Sequence, residues 1–206
     1  MDDTHDAGAP LADRRTRRRL ATMQRIQQVA LELFEERGYD GVSMAQIADA
    51  AGVGERSLYR YFGTKPMLLL HDEADVASLE LLRERVGEQP LVDAVRAILE
   101  EITPLLSPES TDAARQRLRH VDRHPDLQAA FTAYVWELGT RFGVAVAQGR
   151  GLPDDDPASL VAGRCLVVTL ATAIERWRRD PDLDLVAELN GSLDVLDHAL
   201  EPLASS

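Results

Sequence analysis

The chain has 206 residues, 45% of them hydrophobic, with 23 Lys+Arg against 35 Asp+Glu and a formal net charge of −12. That composition fits one or two globular domains with a real core, and the single cysteine, Cys165, excludes an intrachain disulfide framework. The amino-terminal stretch has no apolar core between its charges and a cleavage site. No later run reads as the ~20 apolar residues needed to cross a bilayer, so neither secretion nor membrane insertion is expected and the setting is read as cytoplasmic. Within "RCLVVTLATAI", Cys165 is expected to be a buried structural thiol.

The charge is unevenly placed. Residues 1–66 hold 10 basic and 10 acidic side chains, whereas 67–206 hold 13 and 25, so the acidity belongs to the second part. Arg14, Arg15, Arg17, Arg18, Arg19 and Arg25 form a cationic block opposed nearby only by Asp13. A segregated basic end keeps nucleic acid open as a partner despite the acidic total.

In chain order, residues 1–13 read as a disordered tail. From about 17 to 37, Leu20, Met23, Ile26, Val29, Ala30, Leu33 and Phe34 recur at helical steps, and Gly38 supplies a stop. Ser43 stands as an N-cap before "MAQIADAA", which Gly52 ends. A third helix is expected over about 55–61, followed by a long fourth that Thr64 caps and that places Pro66 near its first turn. The breakers Gly87–Pro90, Pro104–Pro108, Pro125, Gly149–Pro157 and Pro181 leave helices near 91–106, 109–123, 126–149, 158–179 and 183–203. The expectation is an all-α chain of about nine helices, with a boundary between 66 and 67. "GRGLPDDDP" reads as a solvated acidic loop.

The last two long helices stand apart. "PASLVAGRCLVVTLATAIERW" is nearly apolar all round and "LVAELNGSLDVLDHALEPL" carries one aliphatic face, so a second copy of the chain is a natural cover, through 158–179 and 183–203.

In "MAQIADAAGVGERSLYRY", small Ala48 permits close approach of two helices and Gly52 takes the turn, while Ile47, Ala51, Val53 and Leu58 fill the space between them. This is helix-turn-helix spacing. With it, "RIQQVALELFEERGYDGVSMAQIADAAGVGERSLYRYFGTKPMLL" resembles the DNA-binding domain of the TetR family of bacterial transcriptional regulators, over about residues 16–70. The second domain, with "RHPDLQAAFTAYVWELGTRF" and "WRRDPDLDLVAELNGSLDVL", is similar to regulators of the mycofactocin-type subgroup common in actinobacteria. The resemblance implies a three-helix DNA-binding domain over 14–66. It also implies a ligand-binding and dimerisation domain over 67–206, and a homodimeric repressor that grips double-stranded operator DNA until a small apolar or amphipathic effector releases it.

The family pattern places Ser43 and Gln46 at phosphate and groove contacts, Glu55, Arg56, Ser57, Tyr59 and Arg60 on the recognition helix, and Thr64 and Lys65 just after it. Physical chemistry suits Arg56 to a bidentate guanine contact, Ser57 to a base or phosphate, and Tyr59 and Lys65 to phosphates. Leu58 and Phe62 are core. Arg17, Arg18 and Arg19 are expected along phosphates or in an adjacent minor groove. Gly54 departs from the family's usual hydroxyl residue, and Glu55 puts a carboxylate beside DNA.

For an effector pocket the candidates are Arg117, His120, Phe131, Tyr134, Trp136 and Phe142, although an aromatic stripe of this kind also serves as core. His120 and His124 share half of a metal-site spacing, but Pro125 frays the turn and no third ligand is close, so neither a metal nor a cofactor is expected. No nucleophilic set in a strand-turn-helix context appears, which reads against an enzyme. A DNA-organising protein without effector is the alternative, and an enzyme on a helical fold a remote one.

Overall fold

The computed structural model describes residues 14–105 and 108–204 and most of their side chains. The tail expected over 1–13 lies outside the described residues. Among these there are ten α-helices, two short 3₁₀ turns and no strand. The chain separates into two compact units, one ending at His71 and the other beginning at Asp72.

The first unit contains α1 (Arg14–Arg37), α2 (Met44–Ala50), α3 (Glu55–Phe62) and the single turn α4 (Met67–Leu70). The buried stripe Met23, Ile26, Ala30 and Phe34 of α1 packs with Ile47 and Ala48 of α2, Leu58 and Phe62 of α3, and Leu68 and Leu69 of α4. Each of the Met, Ile, Leu and Phe side chains contributes about 1.5–3 kcal/mol by leaving water, which fixes three short helices that would be marginal alone.

The long fourth helix read from the sequence is two elements, α4 and α5 (Glu73–Arg85), and this raises the helix count from nine to ten. The break lies at His71, whose backbone is extended (ψ 127°). Its carbonyl accepts a hydrogen bond from the Gln27 side-chain amide at 2.8 Å, and its ring stands edge-on to Phe62. Contacts to α1 and α3 thus pull the backbone out of the helical path. They also carry the unit's boundary beyond residue 66, because Leu68, Leu69 and Leu70 are buried in the first unit. Thr64 caps nothing with its side chain; Pro66 occupies the N-cap position of α4.

The second unit holds α5, α6 (Leu91–Ile102), α7 (Pro108–Arg119), α8 (Pro125–Gly149), α9 (Pro157–Arg179) and α10 (Leu185–Ala204). α9 lies against α8 on one side and α10 on another, α5 also packs on α8, and α6 on α10. The α8–α9 crossing is built on glycines. A Cβ on Gly163 would stand 2.1 Å from the Gly143 nitrogen and 2.7 Å from the Gly139 carbonyl oxygen, so the two backbones meet with no side chain between them. Around this crossing Leu138, Phe142, Val146, Leu166 and Val167 close the core.

Two expectations for α9 change. By length and composition this helix is apolar enough to cross a membrane, contrary to the reading of the sequence, yet it carries Arg164 at mid-length and packs between α8 and α10. Cys165 is exposed, not buried. It belongs to an outward stripe with Val161, Val168, Thr172 and Arg176, while the residues two before and one after it face α8 and the core.

Candidate nucleic-acid interface

The α2–α3 corner is fixed by hydrogen bonds that its residue types dictate. Ser43 caps α2 by accepting from the Gln46 backbone N–H at 3.2 Å, and the Gln46 side-chain oxygen accepts from the Ser43 N–H at 2.7 Å, a reciprocal capping box. At the other end the Gly52 N–H reaches the Asp49 carbonyl at 3.0 Å and the Val53 N–H the Ala48 carbonyl at 2.9 Å. This Schellman closure requires the left-handed backbone that Gly52 adopts at φ 62°. The Arg25 guanidinium comes within 4.0 Å of where a Cβ on Gly52 would stand, so α1 brings a cation to this corner.

From that corner α3 runs with Leu58 and Phe62 buried and Glu55, Arg56, Tyr59 and Arg60 exposed, the division that 3.6 residues per turn imposes. Ser57 is half-buried and accepts from the Arg60 guanidinium at 3.3 Å, while Arg60 also lies 5.3 Å from the Tyr61 ring centroid. Arg60 is therefore held along its own helix, whereas Arg56 extends from the first turn. Gly54, the N-cap, offers no side-chain acceptor, and its carbonyl takes the Ser57 and Leu58 N–H groups at 2.8 and 3.1 Å, which leaves the Glu55 and Arg56 N–H groups without a capping side chain. This exposed face of two arginines, a tyrosine and uncapped amides, with the Glu55 carboxylate at its start, can bind phosphate and read base edges.

The capping box limits what α2 can do. With its oxygen held by Ser43, Gln46 presents only its amide N–H donors outward, which suits phosphate or acceptor base edges and removes its bidentate use on adenine. Ser43 keeps its O–H for donation. Thr64, Arg18 and Arg19 are exposed, and the side chain of Arg17 lies outside the described ones. Lys65 differs from all of these. It is half-buried, its ammonium donates to the Tyr39 backbone carbonyl and lies 4.1 Å from the Tyr39 ring centroid, and burial lowers its pKa against a smaller upward pull from Asp40. The reading of the sequence did not include Tyr39, nor Arg25 as part of this face. The Ser-x-x-Gln spacing was the available signal for the capping box.

The candidate effector residues lie in several different surroundings. Phe142 is buried in the α8–α9 core, and Trp136, 61% exposed, lies outside it beneath the Arg164 guanidinium at 4.3 Å. Phe131 is half-buried with Arg178 5.8 Å from its centroid, and Arg178 pairs with Asp122 at 2.7 Å. His120 is buried beside the turn at 121–123. Tyr134 and Arg117 both reach the start of α5: the Tyr134 hydroxyl donates to Asp75, and Arg117 stands 3.5 Å from Asp72. Burial pushes the Asp75 carboxyl up to about 6, helped by Asp72 and opposed by the Tyr134 hydrogen bond and Arg141. The Tyr134 hydroxyl is raised above its usual value by burial first and by Asp75 second. Among the described residues no group of three or more His, Cys, Asp or Glu side chains is placed to hold a metal ion.

A helical amino-terminal unit with an exposed, cationic second helix of a helix-turn-helix, joined to a larger helical unit, defines a DNA-binding transcriptional regulator of the two-domain type. Comparison with known proteins makes this specific. Residues 26–71 match the family model "Bacterial regulatory proteins, tetR family" and residues 89–201 that of the MftR C-terminal domain. The chain belongs to the TetR family of bacterial transcriptional regulators. It is 35% identical over 94% of its length, and 98% of the relative's, to the Mycobacterium tuberculosis protein named mycofactocin biosynthesis transcriptional regulator MftR. It is 32% identical to the HTH-type transcriptional regulator TcmR of Streptomyces glaucescens, covering 92% of this chain and 87% of that one. In fold it is similar to SmeT, a repressor from Stenotrophomonas maltophilia solved with triclosan, at a TM-score of 0.53 and 19% identity over 87% of this chain and 91% of the other. These relatives are regulators of transcription.

Proposed function

We propose that the protein is a cytoplasmic, homodimeric repressor that holds a pseudo-palindromic operator and is released by a small apolar or amphipathic effector. The observation that carries the DNA-binding part is the exposed face of α3 on a hydrogen-bonded α2–α3 corner. In this reading α3 enters the major groove, Arg56 contacts guanine, and Ser57 and Tyr59 serve bases and phosphate. Ser43, Gln46, Thr64, Arg18 and Arg19 hold the backbone. A dimer would set its two recognition helices about 34–36 Å apart, one duplex turn.

The dimer part of the reading rests on the outward stripe of α9 and on exposed Val195 of α10, 70% accessible in the single chain. Thr169, Thr172, Arg176, Glu188, Gly191, Ser192 and Val195 line an open groove of ≈ 440 Å³ between the two helices, where a partner's helix would seat. The effector would act by favouring a second spacing of the two α3 helices.

The test begins with duplexes selected from a random-sequence pool by the wild-type protein, followed by genomic footprinting. Protection of a few promoters carrying a two-fold repeat supports the reading, and uniform coverage of DNA refutes it. Arg56→Ala should bind selected and shuffled duplexes with nearly equal affinity. Operator affinity unchanged by every ligand that binds the second unit would remove the effector part alone.

A further inference from the structure

Its residue type offers Trp136 as a pocket residue, yet Trp136 is 61% exposed and is the largest apolar side chain left in water among the described residues. A Trp side chain covers about 150–250 Å², so on the order of 100–150 Å² of this one faces solvent. The ring is also held in place. The Arg164 guanidinium of α9 stacks over it at 4.3 Å and donates to the Thr140 hydroxyl at 3.3 Å, while the buried Arg164 Nε has no acceptor. Gly139 makes this possible: a Cβ there would stand 3.0 Å from the Arg164 Cα, so α8 and α9 touch and the arginine crosses directly onto the ring.

Helix geometry makes this pair one edge of a larger surface. Arg164 follows Val161 by three residues and precedes Val168 by four, so it borders the outward stripe of α9 on the side of α8. Thr169, Thr172 and Arg176 border the same stripe on the side of α10, where the open groove lies. Trp136, the stripe and Val195 therefore follow one another across three helices. Among the described residues the stripe itself exposes only Val161 and Val168 as large apolar side chains, which is little against the ~800 Å² that each partner of a stable dimer covers. Arg164 carries a second sign of an absent neighbour. It pairs with no carboxylate among the described residues, although residues 67–206 hold 25 acidic side chains against 13 basic ones.

We propose that the interface between two copies of this chain extends onto α8: Trp136, steadied by Arg164, is an anchor of the homodimer, and the unpaired guanidinium faces the acidic second unit of the other copy. This rests on the reading of the α9 stripe as a dimer interface and adds a third helix to it. A Trp and an Arg are the residue types that carry most energy when a partner excludes water from them.

The experiment uses the full chain. Trp136→Phe leaves Trp177, 2% exposed, as the sole tryptophan, so subtracting its fluorescence isolates that of Trp136. At concentrations where wild type sediments as a dimer, acrylamide should quench Trp136 several-fold more slowly than it quenches tryptophanamide in solution; a ring left as open as in the single chain should be quenched nearly as fast as that reference. Sedimentation over a concentration series then gives the dimer dissociation constants. Trp136→Ala should raise the constant about thirtyfold and Arg164→Gln about tenfold, with helicity by circular dichroism kept in both. A dimer in which Trp136 is quenched nearly as fast as tryptophanamide, or a Trp136→Ala dimer as tight as wild type, would overturn the proposal and leave the dimer itself standing. If Trp136→Ala does not fold, the quenching decides alone. A wild-type chain that sediments as a monomer at every concentration would instead remove the dimer reading beneath it.

Discussion

Gly163→Ala tests the crossing on which the second unit is built. The added Cβ would stand 2.1 Å from the Gly143 nitrogen, 2.5 Å from the Gly143 Cα and 2.7 Å from the Gly139 oxygen, all backbone atoms that cannot swing aside. Ordinary contact begins at 3.4 Å, so α8 and α9 must part by roughly 1 Å at this point, loosening Phe142, Val146, Leu166 and Val167 around it. Overpacking of this kind costs up to about 3 kcal/mol, while alanine regains about 1 kcal/mol of helix propensity, leaving a net loss near 2 kcal/mol. For a chain of this size the loss lowers the melting temperature by about 4–8 °C. Circular dichroism at 222 nm during heating measures it, at one fixed protein concentration because a dimer melts in a concentration-dependent way. A variant that melts at or above the wild-type temperature would show that the glycines do not set the helix separation.

Three further outcomes follow from the same geometry. Val168→Glu places a carboxylate in the middle of the outward α9 stripe, so sedimentation should show a monomer in place of the proposed wild-type dimer, with helicity kept; Cys165, in the same stripe, should then react faster with a thiol reagent. Neutralising Arg18 and Arg19 with glutamine should flatten the salt dependence of operator binding by about 0.9 for each phosphate that these side chains had neutralised, and an unchanged slope would leave them as solvated charge. Asp75 titrates at about 6 in the folded chain against a usual 3.8, so between those values the folded state holds a proton that the unfolded chain has released. Its contribution to stability is whole below about pH 4 and is lost as pH rises through about 6. Asp75→Asn keeps an acceptor for Tyr134 and should flatten that decline, with a gain on the order of 1–3 kcal/mol at pH 7; urea midpoints that fall in parallel for both proteins between pH 4 and 8 would refute it.

The helices were legible where their signals are local. Apolar spacing and the prolines at 125, 157 and 181 mark the second unit's elements, and Gly52 marks the turn of the first. The break at His71 was not legible, because "TKPMLLLHDEADVASLELLRER" is a continuous helical pattern and the interruption comes from Gln27, far away in sequence. The same limit explains Cys165. A helix that is apolar on every side announces that it is covered, but the residue that faces α8 is chosen by Gly139 and Gly143, and with Gly163 inward Cys165 must turn outward.

At the candidate interface the limit separates two cations of one short stretch. Within "GVGERSLYRYFGTK" the exposure of Arg56 follows from Leu58 and Phe62 alone, since helix geometry puts it on the face opposite to theirs. Lys65 lies outside that helix, so no periodicity places it, and its surroundings come from Phe34 and Tyr39. Formal charge is the same at both positions; what differs is that two aromatic rings lie beneath one ammonium and, among the described residues, none beneath the other cation's helix face. In the turn at 38–41 the sequence marks only Gly38, as a helix stop, while the structure sets the Tyr39 ring beneath the Lys65 ammonium.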